Sequence, residues 1–171
     1  MDDTLEHNLQ PQQILTIFAN NVDIICQNQL NFNETERQQK LSILFEALSE
    51  LNNHFLINPQ KLNNEFKDYL LRIFQNPPSK EIMNICSKCI VTALKSDVSN
   101  VIKPSDFLFS DIIMHIRTGN YSEQTIINLL EIIFSISDQQ FSDIANQKND
   151  DIDIFFKFYD KFDPPSKVSC L

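Results

Sequence analysis

The chain has 171 residues, a formal net charge of −9 and an isoelectric point near 4.7. Nucleic-acid binding draws its affinity from Lys and Arg on phosphates, so this balance argues against direct nucleic-acid contact and against anionic membranes, whereas a protein partner with a basic surface is readily accommodated. Hydrophobic residues make up 42% of the chain, enough for a sizeable core, and the single glycine, Gly119, argues against all-β folds and glycine-dependent nucleotide-binding folds.

Residues 1–10 read as a flexible tail, polar and acidic and unlike a secretory or mitochondrial leader. A first helix is expected from Pro11, with Ile14, Phe18, Val22 and Ile25 on one face. Asn33 and Glu36 form a capping-box pattern that opens the next helix. Its apolar stripe is Leu41, Leu44, Phe45, Leu48, Leu51 and Phe55, with Glu36, Lys40, Glu46, Glu50 and Asn53 mainly off it. Asn58-Pro59 reads as a cap followed by a first-turn proline, and Leu62, Phe66, Tyr69, Leu70, Ile73 and Phe74 form the following stripe.

Pro77-Pro78 ends that helix and Ser79 begins another, in which Ile82, Met83, Ile85, Cys86, Cys89, Ile90, Ala93 and Leu94 face inward. Residues 96–103 read as a loop. A fifth helix runs over Phe107, Leu108, Ile112, Ile113 and Ile116, with Gly119 expected as a left-handed residue closing it. Ser122 caps a sixth helix that is apolar nearly all round, apart from Asn128, Glu131 and Ser135, and is therefore expected at the centre of the fold. Residues 141–147 fit a short helix and 150–162 a last amphipathic one, its acidic start suited to the helix dipole and Phe155, Phe156, Phe158 and Tyr159 suited to capping the helical stack or, alternatively, to docking a partner. Residues 163–171 read as a second flexible tail, leaving 11–162 as one all-α domain of about six to eight helices. No apolar run approaches the roughly 18 residues a membrane span requires.

The segments LSILFEALSELNNHF (41–55), MNICSKCIVTALKSD (83–97) and TIINLLEIIFSISDQ (125–139) start 42 residues apart. Each closes a unit of two or three helices, and LFEALSEL (44–51) and IVTALKSD (90–97) look like the A-L-x-x-L core of an armadillo third helix. Over residues 11–162 the chain resembles a short ARM/HEAT-like α-solenoid, which implies a protein-binding scaffold. An irregular helical bundle would use similar amphipathic helices.

The chemistry-bearing residues favour structural roles. CSKC (86–89) has no second cysteine pair to complete a zinc site, and Cys86 sits about two turns inside its helix, away from the N-terminal dipole that would activate a redox thiol. With Cys26 and Cys170 it reads as free thiols in a reducing compartment. His7 lies in the tail, while His54 and His115 sit at helix C-termini where a cation is favoured. Asp150, Asp151 and Asp153 lack the glycine and spacing of a calcium loop. Val168 stands where prenylation needs cysteine, and Ser169-Cys170-Leu171 lacks the basic centre of a peroxisomal signal.

No catalytic, cofactor-binding or metal-ligating residue is therefore assigned. The expected function is a non-enzymatic interaction or scaffold module in a larger assembly, cytoplasmic or nuclear, with the polar faces near Glu46, Glu50, Lys88 and Lys95 in the contact. The alternatives are a helical-bundle carrier or small enzyme with an apolar pocket, and a regulatory helical domain from a longer chain.

Overall fold

A computed structural model describes residues 9–26, 32–96 and 101–135. The described residues are all-helical, without strands: α1 (Pro11–Asn20), α2 (Val22–Ile25), α3 (Glu34–Ile57), α4 (Asn64–Gln75), α5 (Lys80–Lys95), α6 (Phe109–Thr118) and α7 (Glu123–Ser135), with 3₁₀ turns at Pro59–Lys61 and Pro104–Asp106. The expected helices over 141–147 and 150–162, both tails and Cys170 lie outside the described residues.

The helix starts follow local chemistry. Asn33 Oδ1 accepts from the Glu36 amide at 2.9 Å, and Glu36 returns the bond to the Asn33 amide. Ser79 Oγ accepts from the Ile82 amide. Each satisfies amides that the first turn leaves without a helical partner.

Three expectations need correction. The run from Pro11 breaks at Asn21, and Val22 turns outward while Ile14, Phe18 and Ile25 are buried. Asn58-Pro59 starts only a 3₁₀ turn; the cap of α4 is Asn63, which accepts from the Glu65 amide, so that Leu62 can bury itself in the link. Gly119 is right-handed (φ −76°), and Asn120 takes the left-handed position (φ 46°), which asparagine tolerates. Glycine suits position 119 because a Cβ there would run into the Tyr121 ring. The apolar helix expected at the centre, α7, buries Ile127, Leu129, Leu130, Ile132 and Ile133 and packs against α5, which itself packs against α3 and α4.

The helices form two rows. In the first, α5 lies between α3 and α7. The Thr92 hydroxyl donates to Asn52 Oδ1 at 2.7 Å and the buried Cys89 thiol to the Leu48 carbonyl at 3.1 Å, joining α5 to α3. The Thr125 hydroxyl donates to Asn84 Oδ1 at 3.1 Å and the Asn128 amide to Ser87 Oγ at 3.2 Å, joining α7 to α5. These partners stand 40 or 41 residues apart at both joints. Lys95 and Glu131 add an ion pair at 3.1 Å.

In the second row, aromatic rings make the contacts. Phe18 of α1 meets Phe66 and Tyr69 of α4, at centroid distances of 6.4 and 5.5 Å. Phe74 of α4 meets Phe107 and His115 at 5.3 and 5.2 Å. All but the tilted Phe18–Tyr69 pair meet edge-on, and aromatic pairs so arranged add roughly 0.5–1.5 kcal/mol each beyond their burial. The rows join through α1 on α3, α4 on α5 and α6 on α7, enclosing one continuous apolar core. Arg37 of α3 clamps the turn before α5 by donating to the Pro78 carbonyl at 2.8 Å.

Candidate functional site

The residues with intrinsic reactivity are turned into the core. Cys86 and Cys89 are fully buried; their thiols donate to the Leu70 and Leu48 carbonyls. Burial pushes both thiols up, away from the thiolate that redox chemistry or metal binding needs. Cys26 is exposed. Among the described residues, no three His, Cys, Asp or Glu side chains come together as a metal site.

His115 corrects a sequence expectation. It occupies the last turn of α6, but it is buried, at 6% exposure, against Phe74 and Tyr121. Burial lowers its pKa; Asp111 and the Phe74 backbone pull the other way. The Tyr121 hydroxyl stands 3.5 Å from Nδ1, and Nε2 has no hydrogen-bond partner. The ring is thus held neutral in an aromatic corner rather than presented as a cation to the helix dipole. His54 is also more than a terminal cation: its Nε2–H donates to the Leu9 carbonyl at 2.7 Å and pins the chain before α1 against α3.

The outward flank of α3 is the most distinctive surface. Leu41, Leu44, Leu48, Leu51 and Phe55 form its buried stripe, and Phe45, expected among them, stands 41% exposed. That stripe is complete at alternating spacings of three and four without Phe45, so the outward placement was readable from the sequence. Ile43 is exposed on a different face of the helix, and Leu56 and Ile57 at its end are 67% and 74% exposed. Leu9, Phe45, Glu46, Ser49 and Glu50 line an open groove of about 320 Å³. Ser49 donates its hydroxyl to the Phe45 carbonyl within its own helix, so the groove floor is mainly apolar and its rim anionic. Nothing in the sequence signalled that Leu9, assigned to the tail, would form its wall. Lys88 and Lys95 do not line it; Lys88 is exposed on α5 and Lys95 pairs with Glu131.

A second open groove of about 340 Å³ lies between α1 and α4, lined by residues that include Leu15, Glu65, Asp68, Tyr69 and Arg72. It contains its own cation, Arg72, whose guanidinium stands 5.9 Å from the Tyr69 ring centroid. No helix among the described residues is long and apolar enough to cross a membrane.

No protein-family model, no curated protein and no solved structure matches the chain.

Proposed function

We propose that this chain is a non-enzymatic protein-interaction module built as a short ARM/HEAT-like helical array, and that it works as a subunit of a larger assembly in the cytoplasm or nucleus. The observation that carries this reading is exposed apolar surface on α3: Phe45 lines a groove with Leu9, Glu46 and Glu50, and Leu56 and Ile57 stand exposed at the end of the same helix. Exposed apolar side chains beside charged ones favour a partner surface over simple solvation.

The array reading draws its support from the recurring offset of 40 or 41 residues. The α3–α5 joint uses hydrogen-bond partners 40 and 41 residues apart and the α5–α7 joint partners 41 apart, as expected where like units stack on like units. It also agrees with the 42-residue spacing of the three long segments in the sequence. Both grooves described above are open to solvent, as a contact surface requires.

The test is affinity purification of the full chain from its own cells, with partner identification, alongside a Phe45→Ala/Leu56→Ala/Ile57→Ala variant. A specific protein retained by the native chain and lost with the variant is the expected result. Retention of no protein, or of the same proteins by both chains, refutes the reading.

A further inference from the structure

α6 has a light hold on the core. It buries only Ile112, Ile113 and His115, where α5 buries nine residues. Leu108, just before its first turn, supplies no side-chain cap, and both Leu108 and Met114 are exposed. Beyond its other end Asn120 holds a left-handed backbone, with φ 46°. Elements with few buried side chains open at less cost than the core, so α6 is suited to part from the fold by itself. One of its three buried residues titrates. His115 lies edge-on to Phe74 of α4 at 5.2 Å and stands 6.4 Å from the Tyr121 ring, and its Nε2 has no hydrogen-bond partner.

The charged and titratable groups on the described elements around this ring are Asp111 and Arg117 of α6 itself, Arg72 of α4, Asp106 of the 3₁₀ turn, Glu123 at the head of α7 and Tyr121 in the link. Asp106 pairs with Lys67, and Arg72 lies over the Tyr69 ring. Asp111 and the Phe74 backbone favour the protonated ring, and burial outweighs them. We propose that α6 is an acid-released latch: when His115 takes up a proton from solvent, α6 parts from the Phe74–Tyr121 corner while α3 and α5 stay packed, uncovering the Phe74 ring. In the released state the imidazole returns to its ordinary value near 6.5. Below that pH the released state binds the proton first, so its population rises, and the rise levels once the packed ring is also protonated. The polar pairs that join α3, α5 and α7, Asn52 with Thr92, Asn84 with Thr125 and Ser87 with Asn128, contain no group that titrates in this range. Acid therefore acts on one corner and leaves that row in place.

The test is native-state hydrogen exchange of the full chain at pH 7 and pH 5, read by mass spectrometry on peptides from α6 and α5 and corrected for the intrinsic pH dependence of amide exchange. Protection of the α6 amides should fall several-fold more than that of the α5 amides when the pH is lowered. His115→Leu should remove this excess fall, because the corner then holds nothing that titrates. Asp111→Asn, which leaves the buried ring in place, removes a charge that favours the protonated ring and should enlarge the excess. The second variant keeps the test open if His115→Leu fails to fold. A fall shared equally by α5 and α6 would mean that acid loosens the whole fold and not a latch. The same excess in His115→Leu, or an excess that Asp111→Asn leaves unchanged, would show that another group drives the opening. Any of these three results overturns the proposal.

Discussion

The two helix rows are held together by different chemistry. The α3–α5–α7 row is stitched by side-chain hydrogen bonds, Asn52 with Thr92, Asn84 with Thr125 and Ser87 with Asn128, in largely buried surroundings. The α1–α4–α6 row is joined by rings, Phe18 with Phe66 and Tyr69, and Phe74 with Phe107 and His115. Apolar burial is non-directional and supplies most of the stabilisation, whereas a buried hydrogen-bonded pair contributes little net energy yet penalises any arrangement that leaves it unmade. Apolar packing therefore supplies most of the stability in both rows, the rings adding to it in the α1–α4–α6 row, and the polar pairs of the α3–α5–α7 row fix which residue of one helix meets which residue of the next.

The strongest challenge to that division is removal of a ring. Phe66→Ala should destabilise the fold by about 3–5 kcal/mol, through lost burial and a residual cavity. Urea unfolding measures it, and a loss under 1 kcal/mol would mean the aromatic row contributes little. Breaking one partner of a polar pair comes next: Asn128→Ala should cost about 1–3 kcal/mol because Ser87 loses a partner in the interior. Replacing both, as Ser87→Ala/Asn128→Leu, should recover much of that loss if the pair specifies alignment more than it adds stability. Persistence of the full loss in the double variant would contradict the contrast.

Acid sharpens it further at the α6 end. As pH falls past 6.5, the ordinary imidazole value, the unfolded chain takes up a proton at His115 before the folded chain does, because the buried ring has a lowered pKa. His115 therefore lets stability fall below that pH, levelling once the folded ring is also protonated. A His115→Leu variant should show a flatter stability–pH curve by urea unfolding between pH 7 and 4; an unchanged slope would rule out this corner as the source. The smallest effect is kinetic. Brief native alkylation followed by peptide mass mapping should modify Cys26 and spare Cys86 and Cys89, which react only on unfolding. Fast labelling of Cys86 or Cys89 would mean that the α5 interior opens readily.

The sequence announced elements whose signals are local. Asn33 with Glu36, Ser79, and the Pro77-Pro78 break needed only neighbouring backbone groups to act. Where two local signals competed, tertiary packing chose. Asn58-Pro59 and Asn63 both offer helix starts, and burial of Leu62 between them decided for Asn63. His115 was legible as a terminal-turn residue, but its neutral state depends on Phe74 and Tyr121, and the Phe74 contact comes from another helix. Half of the α3 groove was readable, since Glu46 and Glu50 lie off the core stripe. The other half was not, because Leu9 reaches it through a bond to His54, 45 residues away.

The account rests on the repeated alignment of α3 with α5 and of α5 with α7, and double-mutant cycles in urea test it most directly. Alanine cycles at Asn52/Thr92 and at Ser87/Asn128 should each give a coupling energy of about 0.5–1.5 kcal/mol, while the mismatched pair Asn52/Asn128 should be additive within about 0.5 kcal/mol. Additivity at both aligned pairs would show that these helices do not meet at this offset, and the array reading would fall with it.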